Sequence, residues 1–276
     1  MILNKICKII LIMPLILTGF NTQAQGSYYN QFAKRHTQYM SFGVSTASYF
    51  GDLHRRIFVP HGGLTFQFNQ YIGPQVNFRA ALNLYAIRGD DNTGQHDLEF
   101  RQLSFEAYNA EFSSGFEFSF IPVFESKKRP VFNPYLFLSV GVSTNNPRVN
   151  YEGKSYNLRK LRTEGVRYPG LVPVVPLGGG IRIRLLDYFN IITEWGYRFA
   201  FTDYLDDVST VYPDPEILKT DIARTLSNRT DITGASPGKI GGQRGNPREN
   251  DSYLIWSIRI EGKISELLNP RRKWRR

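Results

Sequence analysis

Apolar side chains recur at every second position in this chain, over runs longer than soluble strands use. From Gln75 to Arg88, Val76, Phe78, Ala80, Leu82, Leu84 and Ala86 form one face. Gln75, Asn77, Arg79, Ala81, Asn83 and Tyr85 form the other. A period of two puts alternate residues on opposite faces of an extended strand. Typical soluble strands have about 5–6 residues, whereas crossing a bilayer takes about 9–11. This run is long enough to cross.

Tyr108, Ala110, Phe112, Ser114, Phe116, Phe118 and Phe120 alternate in the same way with Asn109, Glu111, Ser113, Gly115, Glu117 and Ser119. Shorter runs with this rhythm lie at Leu64–Asn69, Leu136–Ser143, Ile181–Leu185 and Leu254–Glu261. With Tyr39–Phe50 and Asn190–Thr202 they make eight predicted strands. The predicted fold is all-β: an eight-stranded antiparallel transmembrane β-barrel with long outer loops, an even count suited to a single-chain bacterial barrel. Pro173–Gly180, rich in proline and glycine, predicts a bulge or kink. A secreted soluble β-sandwich would share the 20 Phe, the 16 Tyr and the mean hydropathy below zero. Strand length decides against it.

The connections give an orientation. Only Gln70–Pro74 and Leu186–Phe189 are short, whereas Gly51–His61, Gly89–Glu99, Asn145–Pro169 and Asp203–Asp251 are long. Short turns face the periplasm and long loops face outward. Ile121–Asn133, which carries Lys127, Lys128 and Arg129, is a longer periplasmic excursion. In the last loop, Asp214-Pro215-Glu216 followed by Ile217, Leu218, Ile222 and Leu226 predicts one short helix with Asp214 as N-cap. Gly234–Gly245 reads as flexible.

The N-terminus reads as an export signal. Lys5 and Lys8 precede the apolar Ile9–Leu17, and Thr22-Gln23-Ala24 ends a polar stretch with small residues. The expected organisation is a signal peptide over residues 1–24, a periplasmic segment over 25–38, the barrel over 39–264 and a basic periplasmic tail over 265–276. The single cysteine, Cys7, falls inside the signal, so no disulfide framework is expected. Losing Lys5 and Lys8 takes the formal charge from +10 to +8, and five of those charges sit in Arg271, Arg272, Lys273, Arg275 and Arg276. A basic tail on a nearly neutral body does not suggest a nucleic-acid-binding domain. Trp274 within it could anchor at a membrane interface.

Polar-face positions carry the sharpest expectation. Arg79, Glu111, Glu117, Arg182, Arg184, Glu194, Arg198, Arg259 and Glu261 all point inward under this alternation. An isolated buried charge is costly, so opposite signs should pair. Eight strands enclose a lumen just wide enough for side chains. The expectation is a filled, ion-paired interior.

Catalytic and metal chemistry find little support. Of His36, His54, His61 and His96, the second and third could approach Asp52, but no nucleophile motif accompanies them. Asp203, Asp206 and Asp207, like Asp90-Asp91, could hold Ca²⁺ or serve as turn and capping groups. Gly178-Gly179-Gly180 lacks the Lys-Ser/Thr of a phosphate loop. Arg55 and Arg56 could meet lipopolysaccharide phosphates. No enzyme activity, cofactor or metal is expected.

Three runs together resemble a known family. They are Tyr49-Phe50-Gly51-Asp52-Leu53; Gly196–Ser209, ending Thr-Asp-Tyr-Leu-Asp-Asp-Val-Ser; and Arg244-Gly245-Asn246-Pro247 with Asn250-Asp251. The combination resembles the PorG-like outer-membrane barrels of Bacteroidetes, which are similar in form to the small OmpA-type barrel. It covers about Tyr39 to Ile264. The resemblance implies a part in type IX protein secretion, binding the periplasmic ring of the lipoprotein PorK and its partner PorN. Lys127, Lys128, Arg129 and the basic tail are the candidate contacts, with outer-membrane lipid and lipopolysaccharide as surroundings. A lipid A-modifying enzyme and a small porin are the alternatives.

Overall fold

The computed structural model describes residues 37–53, 61–91, 101–123, 130–186, 189–229 and 238–268. The strands in chain order are β1 Gln38–Phe50, β2 His61–Tyr71, β3 Val76–Asp90, β4 Ser104–Ser119, β5 Phe132–Thr144, β6 Pro147–Tyr151, β7 Lys154–Asn157, β8 Leu171–Arg184, β9 Phe189–Ala200 and β10 Ser252–Lys263. Each pairs antiparallel with its neighbours, in the cyclic order β1-β2-β3-β4-β5-β8-β9-β10. The ring closes between β1 and β10, from Tyr39 opposite Lys263 to Phe50 opposite Ser252. Closure pairs every barrel strand on both sides and leaves no edge. The remaining β6–β7 hairpin rises from the outer end of β4, where Ala107 faces Pro147 and Glu106 faces Arg148.

The period-two pattern becomes an inside and an outside. Met40, Phe42, Val44, Leu64, Phe66, Leu82, Leu84, Phe112, Phe116, Leu136, Leu138 and Val140 are exposed on the outer surface. Their strand neighbours Arg79, Asn83, Glu111, Glu117, Ser139 and Glu194 are buried within. A water-soluble protein would invert that arrangement, whereas a barrel in lipid requires it. No helix among the described residues is long and apolar enough to cross a membrane.

Two expectations change. β8 has no bulge: Leu138 pairs with Leu177 and Gly141 with Val174, in one constant register. The ladder to β5 merely lapses opposite Val175 and Pro176, because proline has no N–H to give. The single helix predicted after Asp214 is two. A 3₁₀ turn, Pro215–Ile217, is capped by Asp214, which accepts from Glu216 N at 3.0 Å. α2, Asp221–Ser227, is capped by Thr220, which accepts from Ala223 N at 3.2 Å. Thr220 is extended (φ −136°, ψ 150°), and its hydroxyl competes for the backbone where a continuous helix would have to run. α1, Leu158–Leu161, follows β7, and α3, Ile264–Leu268, follows β10.

A small apolar cluster, Tyr135, Phe137 and Ile192, lies within the barrel, and the larger one sits at the outer end. Leu53, Ile87, Leu103, Phe105, Val149, Leu158, Leu205, Val208 and Leu226 pack there with Tyr49, Tyr85 and Tyr253. The long loops therefore fold over the barrel mouth and close it with their own hydrophobic cluster.

Candidate functional site

Beneath that cap the lumen is filled by three tiers of charge. Nearest the short turns, Arg182 bonds Glu117 at 2.9 Å and Glu261 at 2.9 Å. Asn77 donates to Glu117 at 2.9 Å and Asn190 to Glu261 at 2.7 Å. In the middle tier Glu194 accepts from two guanidiniums, Arg79 at 2.9 Å and Arg259 at 2.8 Å, and from the Tyr135 hydroxyl at 2.6 Å. Gly180 makes that last bond feasible, since a Cβ there would lie 2.6 Å from the Tyr135 ring. In the outer tier Glu111 accepts from Arg198 at 3.2 Å, Asn83 at 2.8 Å and Tyr253 at 2.7 Å.

Four arginines and four glutamates thus meet inside the barrel and cancel in charge. They are eight of the nine residues that the alternation points inward. The ninth, Arg184, stays half-buried at the short-turn end of β8 and joins none of the tiers. The tyrosines and asparagines that complete each tier carry no charge to advertise them in sequence, although their inward register does.

The cap is built on a second buried network, assembled from loops far apart in the chain. Arg244 donates to Glu164 Oε1 at 2.7 Å, to the Asp207 carbonyl at 2.6 Å and to the Ser227 carbonyl at 3.2 Å. Glu164 also takes the Ser209 and Thr210 amides, each at 3.0 Å. Arg101 is held by Asp91 at 2.7 Å and donates to the carbonyls of Arg244 (2.6 Å) and Asp52 (2.9 Å). Asp52 accepts from Asn246 N at 2.6 Å. Asp207 receives the hydroxyls of Thr163 and Tyr168. Asp206 and Asp251 both meet the Tyr49 hydroxyl, at 2.6 and 2.9 Å.

Burial raises the carboxyls of Asp203, Asp206, Asp207 and Asp251 from their ordinary range. Asp203 is pushed up to about 7 by burial, against a hydrogen bond from Ser209. Asp207 is pushed up to about 6 by burial, partly offset by Arg244. Asp206 and Asp251 are raised well above the usual carboxylate value, first by burial; the Asp251 charge adds to the rise at Asp206, as the charges of Asp203 and Asp52 do at Asp251.

The sequence candidates separate on this frame. Asp203, Asp206, Asp207 and Asp91 are hydrogen-bond acceptors of the cap. Among the described residues no three His, Cys, Asp or Glu side chains group to hold a metal. The Asp52 carboxylate is engaged by Asn246, while His61 neighbours Glu106 instead. Gly178–Gly180 lies within β8. The expected loose stretch up to Gly245 is tight at its end, where Arg244 is fully buried. The signal over 1–24, His36, His54, His96, Arg55, Arg56, Lys127, Lys128, Arg129 and the tail from Arg271 to Arg276 lie outside the described residues. Sequence reading missed Glu164 and Arg101, which no local pattern marks.

An apolar outer wall, a polar filled interior, short turns at one end and folded loops at the other define an outer-membrane β-barrel. Residues 27–220 match the family described as Domain of unknown function (DUF6089). No curated protein matches the chain. Among solved structures the fold is similar to outer membrane protein OprG from Pseudomonas aeruginosa, with 9% identity over 83% of this chain and 96% of that one, at a TM-score of 0.46. Neisserial surface protein A is similar at 7% identity over 82% and 97%, with a TM-score of 0.42. The attachment invasion locus protein Ail of Yersinia pestis, crystallised with the heparin analogue sucrose octasulfate, is similar at 9% identity over 83% and 100%, with a TM-score of 0.42.

Proposed function

The chain belongs to the DUF6089 family, and we propose that it is a non-enzymatic outer-membrane component of the type IX protein secretion system that binds the periplasmic ring. The observation that carries this reading is the filled lumen. Glu194 with Arg79 and Arg259, Arg182 with Glu117 and Glu261, and Arg198 with Glu111 block the axis at three heights. On this reading the barrel conducts nothing and acts through what it holds at its ends. The three runs that carry the PorG-like resemblance also converge on one network in the cap: Tyr49 meets Asp206 and Asp251, and Asp52 meets Asn246. That supports reading them as one structural signature.

The periplasmic partner would be PorK with its companion PorN, met by the short-turn end through Lys127, Lys128, Arg129 and the basic tail. Crosslinking in intact membranes followed by pull-down of the full-length chain tests this. Recovery of ring proteins, with loss of cargo export on deletion, is the expected result. The absence both of ring proteins from the pull-down and of an export defect on deletion would overturn it. Altered lipid A on deletion would instead point to the enzymatic alternative.

A further inference from the structure

The outer loops differ sharply in charge. Residues 145–170 carry Arg148, Lys154, Arg159, Lys160, Arg162 and Arg167 against only Glu152 and Glu164, and Glu164 is buried under Arg244. Arg159 is turned back on its own loop, bonding Asn146 at 3.2 Å. Among the described residues the other five basic side chains form no ion pair or side-chain hydrogen bond.

Register fixes where this charge begins. Arg148 lies opposite Glu106 in the β4–β6 ladder, so the two share a face. Phe105 and Ala107, either side of Glu106, point into the inner cluster. Glu106 and Arg148 therefore point out, on the same side as Tyr108, which is 65% exposed on the apolar wall. One strand over, Arg88 pairs with Glu106 and also faces out. Two residues, about 6.6 Å of strand, carry the surface from apolar Tyr108 to this charged rim. A change from apolar to charged surface of this kind is what a barrel shows where hydrocarbon gives way to headgroups.

We propose that this rim is a binding site for the phosphate groups of outer-leaflet glycolipids. Arg148 makes the contact at headgroup height, and the β6–β7 hairpin and α1 supply further cations above it. Guanidinium and phosphate match in charge and in hydrogen-bond geometry. Placement directly over the apolar belt selects a membrane-borne phosphate over a soluble polyanion. The site is independent of any secretion role.

The test uses the full-length barrel in phosphatidylcholine nanodiscs containing fluorescent bis-phosphorylated lipid A. Wild-type binding should weaken as salt rises. Combined Arg148→Glu, Lys154→Glu and Lys160→Glu should lower affinity by at least about tenfold, given the effect of each basic residue near an anionic surface. If the triple variant fails to fold, as read by heat-modifiable gel mobility, Arg148→Gln alone should still show a measurable loss. Unchanged affinity in the folded variants, or equal binding of dephosphorylated lipid A, would overturn the site. Tighter binding of soluble polyphosphate than of membrane lipid A would overturn the assignment of its source.

Discussion

Asp206 and Asp251 share one phenolic hydroxyl, that of Tyr49, at 2.6 and 2.9 Å. A phenol has a single proton to give. Two ionised carboxylates would have to share it, and burial raises both carboxyls, so the pair favours holding one further proton. Asp206 already takes the amides of Val208 at 2.9 Å and Leu53 at 3.3 Å. Asp251 takes Leu205 N on Oδ2 at 2.8 Å, leaving Oδ1 facing only the phenol. A proton taken up by the pair is best placed on Asp251 Oδ1, with Tyr49 then donating to Asp206.

A shared proton makes the cap sensitive to alkali. The carboxyls of Asp206 and Asp251 are raised above their unfolded value, chiefly by burial. Groups raised in this way stabilise fully at low pH, and the contribution is lost as pH rises through the raised value. Asp207 at about 6 and Asp203 at about 7 open the window, with the Asp206–Asp251 pair following. Asp52 adds negative charge nearby, whereas Arg101 and Arg244 are already engaged. Protease cleavage within the outer loops should accelerate above pH 7 while the barrel stays intact. Asp251→Asn, neutral at every pH and still a donor to Tyr49, should flatten that rise. An equally steep pH response in the variant would place the titration elsewhere.

Arg244 ties together three stretches of loop through Glu164, the Asp207 carbonyl and the Ser227 carbonyl. Arg244→Met strands Glu164 as a buried charge, at a cost of about 3–5 kcal/mol. The loss falls on the cap, so hydrogen exchange should quicken in residues 203–227 and leave the ladders of β3 and β4 protected. Uniform loss of protection would mean that cap and barrel unfold as one unit.

The barrel was legible because every long alternating run has a polar face that needs an inside. Glu111 and Glu117 in β4 are six residues apart, share one face, and could face only a common interior. β8 was harder, because Pro173, Pro176 and three glycines remove the donors and side chains that make period two visible. How the cap is assembled was not legible. Tyr49 and Asp206 lie 157 positions apart, and Glu164 and Arg244 80 apart. Period two carries no information about which loop tips meet. Local traces did exist: Leu205-Asp206-Asp207-Val208 sets acids among apolar residues, and Gly245 follows Arg244 where a Cβ would lie 2.5 Å from the Asp52 carboxylate.

Gly51 offers a steric test of the same network. A Cβ there would fall 1.9 Å from both the Tyr49 hydroxyl and the Asp251 carboxylate. Gly51→Ala should therefore loosen the cap by about 1–3 kcal/mol and reproduce at neutral pH the protease sensitivity of wild type at high pH. A variant as resistant as wild type would show that the Tyr49 bridge does not hold the cap.

In the lumen, Glu194 serves two guanidiniums at once, Arg79 and Arg259. Glu194→Gln leaves both without their counter-charge and should cost about 3–5 kcal/mol in urea unfolding from lipid vesicles. Replacing all three together by Leu, Met and Leu should recover much of that loss, since a well-packed apolar set avoids the desolvation penalty. If the triple variant is no more stable than Glu194→Gln, packing around Tyr135 and Phe137 dominates over charge.

Leu138 separates a membrane wall from a merely exposed one. It lies in the middle of β5, outward and 59% exposed, opposite Phe116 of β4. On a soluble protein, replacing an exposed leucine by arginine changes stability by no more than about 0.5 kcal/mol. In a bilayer the same change at the midplane costs about 2–4 kcal/mol, falling towards zero near the interfaces. Leu138→Arg should therefore destabilise strongly when unfolding is followed from phospholipid vesicles. Tyr108→Arg, at the outer rim of the same wall, should be much milder. Equal, small effects at both positions would remove the apolar belt as evidence for lipid. A large effect at Leu138 alone sets the hydrocarbon depth along β5 and places the charged rim of Arg88 and Arg148 just beyond it.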